Sequence, residues 1–400
     1  MPQYRTAVGD RSLVADLEYP YYLAYAAISP ATRAVRDALH ESIEDYARVG
    51  QLAIGRTIEQ RERLRGKVAR LLNARAEEIG LTTGTTHGLL QLAFCIDWKP
   101  GDRVVVFRGE FPANFTPWQN AAACFDLELC ELQALGASVG GRDRSQDADL
   151  SELETTLRGG GVRLVAISAV AFQTGYRAPL RAVAELCHAH GAELCVDLIQ
   201  ACGVVPVDVR ASGIDYAAGG AHKWLMGAQG AGFLYARGEL QRLLIPRMAG
   251  WLSHEDGVRF LFEPGQLRYD RPLKRSIDFV EGGSQSALSS VAMEAGLDPI
   301  LELGVPAIFS HVSAYLDRLE SPLMDRGFES LRSTSVGARS GMLCLVPPEG
   351  KTAAELVSSL RAHGVVASMP DGNLRFAPQF TNSVEEVPSV LEAVDAALAR

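Results

Sequence analysis

Lys223 is the residue whose surroundings most suggest covalent chemistry. It follows residues 215–222, which are mostly small and apolar and offer little solvation to an ammonium group. Burial in such surroundings lowers the pKa of a lysine from the ~10.4 of a free side chain and makes the neutral amine accessible. Neutral amines of this kind form Schiff bases with carbonyl compounds. An isolated lysine after an apolar run more often marks the exposed end of a strand, so other residues must support the interpretation.

A threonine-rich loop could bind a phosphate group. Residues 82–88 read TTGTTHG and precede a helix-like run over 89–95. Free backbone N–H groups at a helix start, with the hydroxyls of Thr85 and Thr86 beside them, suit a phosphate, and an ordinary threonine N-cap is the alternative. No Gly-Lys-Ser/Thr follows the loop, and it lacks the GxGxxG of a dinucleotide site. A lone phosphate therefore fits better than a nucleotide.

Two polar residues follow a strand-like run at 193–197. Asp197 ends the run, and Gln200 comes three residues later. A carboxylate at the tip of a buried strand is costly unless it meets a cation or a strong donor, and a protonated pyridine nitrogen is such a partner. Gln200 could donate to a phenolic oxygen on the same ring. The alternative is that Asp197 caps a following helix.

Three further residues could bind parts of a ligand. Phe111 could lie flat on an aromatic ring or be an ordinary core side chain. Arg375, in an otherwise apolar run, suits bidentate capture of a carboxylate, although a surface-directed arginine is the alternative. Ser284 follows two glycines and could supply another hydroxyl to a phosphate or belong to a turn.

Strand-like and helix-like runs alternate through the first two thirds of the chain. The strand-like runs are residues 103–107, 164–168, 193–197 and 232–236, and helix-like stretches cover 114–124 and 180–190. Short, doubly apolar strands separated by helices indicate an α/β fold with a mostly parallel sheet covered on both faces. Ligands of such sheets bind at the carboxyl ends of the strands. We predict a large domain over residues 21–285. A small α+β domain over 286–400 begins with a helical stretch at 286–319, and residues 1–20 join it.

The amino-acid composition argues against several classes of function. The chain has 400 residues, 47% of them hydrophobic, which is enough for a large core. A net charge of −9 argues against nucleic acid or an anionic membrane as the main partner. The seven cysteines are scattered and never spaced as CxxC, so neither a disulfide framework nor a metal site is expected. No apolar run is long enough to span a bilayer and the first residues lack a signal-peptide core, which favours a cytoplasmic location.

Taken together and in this order, these residues resemble the class V aminotransferase family of fold-type I pyridoxal 5′-phosphate (PLP) enzymes. This group includes cysteine desulfurases, kynureninases and isopenicillin N epimerase-like proteins. The resemblance runs from residue 22 to beyond Arg375, and its strongest part is Asp-x-x-Gln at 197–200 followed by His-Lys at 222–223. It implies a fold-type I transferase, with PLP as the cofactor.

The resemblance also implies a role for each candidate. The cofactor would be held by these residues: Thr85, Thr86 and His222 at the phosphate, Phe111 over the ring, Asp197 at the pyridine nitrogen and Gln200 at the ring oxygen. Lys223 would carry the cofactor and shuttle a proton at the substrate's α-carbon, and Arg375 would receive the α-carboxylate. Ser284 would reach the phosphate of a neighbouring subunit, which implies a homodimer.

Departures from the family pattern argue against a typical cysteine desulfurase. Desulfurases have a histidine over the ring, whereas this chain has Phe111, which can stack but cannot transfer protons. They also need a nucleophilic cysteine shortly before the position of Arg375, and residues 365–372 contain none. Cys344 lies in an apolar run and is not expected to replace it.

Other departures concern the cofactor and the substrate. Gly220 occupies a position where many relatives have a phosphate-binding serine, and Ala24 and Tyr25 replace the usual Asn or Asp of the N-terminal segment. We expect an enzyme that forms an external aldimine with an amino acid or amino-acid conjugate, by lyase or aminotransferase chemistry in a specialised pathway. An epimerase, a kynureninase-like hydrolase and a non-catalytic PLP-binding protein are the alternatives. The sequence does not identify the substrate or the bond that is cleaved.

Overall fold

A computed structural model describes residues 6–136 and 148–399 of the chain. The strands of the described residues are β1 (Tyr21–Tyr22), β2 (Ile79–Thr82), β3 (Arg103–Phe107), β4 (Glu128–Leu132), β5 (Val162–Ser168), β6 (Glu193–Asp197), β7 (Tyr216–Gly220), β8 (Gly232–Ala236), β9 (Glu329–Ser330), β10 (Leu343–Val346), β11 (Val365–Val366) and β12 (Leu374–Phe376). The α-helices of the same residues are α1 (Arg33–Val49), α2 (Ile54–Leu72), α3 (Thr85–Cys95), α4 (Thr116–Phe125), α5 (Ser151–Arg158), α6 (Leu180–Ala189), α7 (Ala287–Leu303), α8 (Val305–Asp325), α9 (Ala353–Ala362) and α10 (Val387–Leu398).

The central feature is a seven-stranded sheet in the order β2-β8-β7-β6-β5-β3-β4. The strands from β7 to β4 pair in parallel, and β8 runs antiparallel to both of its neighbours. Burial is nearly complete along β5, β6, β7 and β8, because two apolar cores cover the two faces of the sheet. The predicted α/β class with a mostly parallel sheet is confirmed.

Parallel pairing brings the ends of several strands to one edge of the sheet. Ser168 ends β5 and pairs with Asp197, which ends β6. Gly220 ends the next strand, β7, three residues before Lys223. Polar residues that are distant in sequence therefore share the edge at which α/β sheets bind their ligands.

A second, smaller sheet carries Arg375, which lies on β12. Its order is β12-β10-β9, and all its pairs are antiparallel. The N-terminal part of the chain contacts this region, since β1 pairs in parallel with β11 and the N–H of Gly9 donates to the carbonyl of Phe380. The domain boundaries at residues 285 and 286 stay a prediction.

Two helical stretches differ in their bounds from the sequence-based expectation. The helical stretch expected over 286–319 consists of two helices, α7 and α8, which meet at Gly304 with an 82° bend. Gly304 has φ 78°, a left-handed conformation that ends a helix at low cost only for glycine. The helix expected from residue 89 begins at Thr85 instead.

No single helix in the described ranges is long and apolar enough to cross a membrane. The bent pair of α7 and α8 passes that test together, by length and composition only.

Gly232 lets β8 pass directly beneath the threonine-rich loop. A Cβ atom on Gly232 would lie 2.4 Å from the carbonyl oxygen of Gly219 and 2.7 Å from the Cα of Gly84. Because backbone atoms make both contacts, Gly232→Ala should lower the free energy of unfolding by about 1–3 kcal/mol, as overpacked positions do.

Denaturant unfolding of the two proteins measures this difference. The matched control is Gly66→Ala on the exposed face of α2, where a Cβ would meet nothing within 4 Å. That change should instead raise stability by about 0.5–1 kcal/mol, the usual gain for alanine over glycine in a helix. Equal stability of Gly232→Ala and the wild type would contradict the close approach.

Candidate active site

A single open cleft contains most of the residues singled out in the sequence. Its volume is about 820 Å³, which is large enough for a cofactor and a small substrate. Eight of the nine candidates line it: Thr85, Thr86, Phe111, Asp197, Gln200, His222, Lys223 and Arg375. Ser284 does not line the cleft of its own chain and is exposed. The functional roles of all nine stay predictions.

Lys223 lies in a tight turn directly after β7. Its carbonyl accepts from the N–H of Met226, and the carbonyl of the preceding His222 accepts from Ser29. The ammonium nitrogen is 5.6 Å from the centre of the Phe111 ring. Burial lowers the pKa of Lys223 to about 8, and the nearby Arg375 lowers it further, while Asp197 opposes the shift. A neutral amine is therefore accessible near neutral pH.

Asp197 presents an unsatisfied carboxylate oxygen at the cleft. The side chain is 1% exposed, and Oδ1 accepts from the N–H of Ile199 at 2.8 Å. Oδ2 is buried and has no hydrogen-bond partner in the described part of the chain. Burial raises the pKa of Asp197 to about 7, against the opposing effect of the Ile199 N–H. A cationic donor such as a protonated pyridine nitrogen would satisfy this oxygen.

The helix-cap alternative for Asp197 is wrong, because the residues that follow it form turns. One of those residues is Gln200, whose amide is fixed at both ends. Its Nε2 donates to the carbonyl of Ala26, and its Oε1 accepts from the indole of Trp224. The second hydrogen on Nε2 stays available for a ring oxygen.

The threonine-rich loop has the features of an anion site. Gly84 caps α3 with φ 152°, and the free N–H groups of the first helical turn follow it. The hydroxyl of Thr85 is buried and has no partner among the described residues. A Cβ on Gly220 would lie 3.1 Å from this hydroxyl and 3.0 Å from Ile199. The glycine that replaces the family serine therefore stands against the threonine hydroxyl, where space for a side chain is small.

Arg375 reaches the cleft from β12. Its Nε donates to the hydroxyl of Ser368 at 3.0 Å, and its Nη1 donates to the carbonyl of Phe172 at 2.8 Å. The residue is 5% exposed, so the surface-directed alternative is wrong. Nη2 makes no hydrogen bond within the described ranges, which leaves this nitrogen for a ligand carboxylate.

Glu110 is a residue that the sequence interpretation missed. Its carboxylate accepts from the N–H of Ser168 at 2.7 Å and from the amide of Asn114 at 3.1 Å, and it also contacts the Ser168 hydroxyl. Burial raises its pKa. These bonds tie the loop that carries Phe111 to the end of β5. The sequence did carry one signal for this contact, because Ser168 ends a predicted strand and the carboxyl ends of such strands are where ligands bind.

Phe172 was also missed, although it too follows the end of β5. Its ring packs edge-on against Phe111, with centroids 5.3 Å apart, while its carbonyl binds Arg375. Ala24 and Tyr25, which replace family residues, do not line the cleft: Tyr25 is buried and its hydroxyl bonds to Thr381.

The comparisons with known proteins agree on one family. The sequence model of the aminotransferase class-V family matches residues 21–373. An uncharacterized aminotransferase, YcbU of Bacillus subtilis, is 25% identical over 85% of this chain and 84% of its own length. A probable cysteine desulfurase of Methanothermobacter thermautotrophicus is 30% identical over 72% of this chain and 69% of its own.

The fold also matches a solved structure. The cystine C–S lyase C-DES in complex with cysteine persulfide superposes with a TM-score of 0.83 at 20% identity, covering 96% of this chain and 99% of that chain. The predicted fold-type I architecture is confirmed.

Asp197→Asn should stabilise the protein from which the cofactor has been removed, and more so at high pH. The folded-state pKa is raised from 3.8 to about 7, so the carboxyl stabilises the fold below about pH 4 and that contribution is lost as the pH rises through 7. Asparagine stays neutral and can still accept from the Ile199 N–H. The variant's thermal midpoint should exceed that of the wild type at pH 8, with a smaller difference at pH 5.

The matched control is Asp325→Asn, at the exposed end of α8, which should not show this pH dependence. A variant less stable than the wild type at pH 8 would contradict the unpaired state of Oδ2.

Proposed function

The chain belongs to the class V aminotransferase family of PLP-dependent enzymes, and from this premise we propose that it acts on an amino acid or amino-acid conjugate by lyase or aminotransferase chemistry. The observation that carries the proposal is the combination in one cleft of a partly buried lysine, an unpaired buried carboxylate oxygen and a buried arginine. PLP, when bound, supplies an electron sink that stabilises negative charge at the substrate's α-carbon.

The chain's own residues perform the binding and the proton transfer. Lys223, whose pKa is lowered by burial, would bind the cofactor's carbonyl carbon and, once the substrate's amine has displaced it there, would move a proton at the substrate's α-carbon. Asp197 would hold the pyridine nitrogen in its protonated form, because that N–H would satisfy the unpaired Oδ2. Phe111, which is 43% exposed, would lie over the ring. Arg375 orients the α-carboxylate, and having both Lys223 and Arg375 in the cleft favours turnover over mere binding.

The phosphate lies at the start of α3 in this proposal. Thr85 and Thr86 donate hydroxyl and backbone hydrogens, and the unpartnered hydroxyl of Thr85 supports the assignment. His222 lines the same cleft. Burial lowers its pKa, so it binds as a neutral imidazole.

We also propose that the protein is not a typical cysteine desulfurase, although several relatives carry that name. All seven cysteines belong to the described ranges and none lines the cleft. Cys344 is fully buried in β10, where burial raises the pKa of its thiol to about 12. A nucleophile needs an accessible thiolate, which this residue does not provide.

A homodimer is the proposed assembly. Ser284 is exposed and does not line its own cleft, and Trp251, which is 43% exposed, lies close to the neighbouring Gly283. Glu281 fixes the base of this segment through Arg61 and the N–H of Leu81. A second copy of the chain would cover this surface and receive Ser284 at its phosphate site.

Reduction of the holoenzyme with borohydride, followed by peptide mass spectrometry, tests the proposed lysine. The pyridoxyl adduct should appear on Lys223 and on none of the other four lysines, because Lys223 alone lines the cleft. Lys223→Ala should lose the cofactor absorbance and all turnover. Lys274→Ala, whose side chain pairs with Asp278 outside the cleft, is the control and should keep both. An adduct on another lysine, or a wild type that binds no PLP, would reject the proposed function.

Ser284→Ala should weaken cofactor retention without changing the fold. Loss of one phosphate hydrogen bond predicts about a fivefold to tenfold higher dissociation constant for PLP, measured by equilibrium dialysis of the dimer. Ser286→Ala should leave retention unchanged, since Ser286 only caps α7. Analytical ultracentrifugation that shows a monomer with undiminished PLP affinity would contradict the shared site.

A further inference from the structure

The cleft contains few positively charged side chains. Among the described residues that line it, the charged or chargeable nitrogens belong to Arg375, Lys223, His87 and His222. Both imidazoles lie in partly buried positions where burial lowers their pKa, so they are neutral near pH 7. The ring nitrogens of His87 are also engaged, one with the N–H of Thr83 and the other with Gln91. Among the described residues that line the cleft, only Arg375 is left as a permanent cation for a substrate.

Several apolar side chains line the same cleft as Arg375. We define the apolar wall as Ile28, Phe111, Phe172 and Pro370, all of which line the cleft. Phe172 is the best-placed member, because its carbonyl accepts from Arg375 while its ring meets Phe111. Ile28 is 48% exposed, and its backbone carbonyl accepts from the hydroxyl of Tyr22 at 2.7 Å. This wall offers contact area but no partner for a charge.

A second carboxylate on the substrate would therefore be poorly placed. An ionised group loses hydration when it enters such a cleft, and the loss is offset only by an opposite charge or strong donors. With Arg375 committed to the α-carboxylate, no described residue of the same chain that lines the cleft provides a second cation. An apolar side chain, in contrast, gains from leaving water against the apolar wall.

We propose that the substrate is an amino acid with a single carboxylate and an uncharged, predominantly apolar side chain, which lies against the apolar wall while Arg375 holds the α-carboxylate. This inference rests on the proposed function and narrows it. Acidic amino acids and dicarboxylic 2-oxo acids are excluded, so a reaction that needs such an acid as amino acceptor is excluded as well. Cleavage of a single amino-acid substrate is the chemistry that remains favoured.

Titration of the PLP-loaded enzyme with L-norleucine and L-glutamate tests the proposal, because the two have side chains of similar length. Changes in cofactor absorbance give the dissociation constants, and the thermal midpoint of the loaded enzyme gives an independent readout. Norleucine should bind at least about tenfold more tightly than glutamate and raise the midpoint more.

A variant that adds a cation to the apolar wall should reverse this preference. Ile28→Arg places a guanidinium at the cleft mouth and should strengthen glutamate binding about threefold or more while weakening norleucine binding. Val336→Arg, at a position 73% exposed and outside the cleft, adds the same charge and should change neither constant. Ile28 is already half-exposed, so its replacement leaves the core intact.

Three results would overturn the proposal: glutamate binding as tightly as norleucine, absence of binding by either, or equal behaviour of Ile28→Arg and Val336→Arg. The borohydride adduct separates this failure from failure of the proposed function. If Lys223 carries the cofactor and acidic amino acids still bind best, the apolar substrate class alone is wrong. If Lys223 carries no cofactor, the proposed function itself is wrong.

Discussion

The burial of two opposite charges, Asp197 and Lys223, at one edge of the central sheet is the constraint on which the site depends. Burial disfavours both charged forms, which raises the pKa of the carboxyl and lowers that of the amine. Each charge partly offsets the other's penalty, but Oδ2 of Asp197 still has no hydrogen-bond partner in the described ranges. The protein therefore holds a reactive amine and a carboxylate oxygen without a donor in one cleft, and in the proposed function PLP would supply that donor.

The apolar cores that cover both faces of the sheet stabilise the fold and offset the free-energy cost of burying these two groups. Parallel pairing brings Asp197, Ser168 and the turn of Lys223 to one edge. The small sheet then closes the site, since Arg375 on β12 donates to the carbonyl of Phe172 on the far side of the cleft. The position of Arg375 thus depends on contact between the two sheets, and a shift of either sheet would move this arginine away from Lys223.

Sequence reasoning succeeded where local pattern and physics coincide. The bounds expected for the strands at 103–107, 193–197 and 232–236 agree with the structure, because short runs buried on both faces have clear ends. It did not identify the break between α7 and α8, where Gly304 has a positive φ and Pro306 lies in the first turn of α8. The role of Glu110 was missed because its partner, Ser168, lies 58 residues away in the sequence, although the end of β5 belongs to the edge where ligands were expected.

By itself the sequence determined the α/β class, the family and the set of residue types that PLP chemistry requires, because motif spacing and strand periodicity are local properties of the chain. Only the tertiary structure decided which of those residues meet. It buried Arg375, left Asp197 without a helix to cap and kept Ser284 out of its own cleft. It also brought apolar side chains from four separate segments into the cleft that Arg375 lines. Such a wall is set by long-range packing, which no short stretch of sequence records.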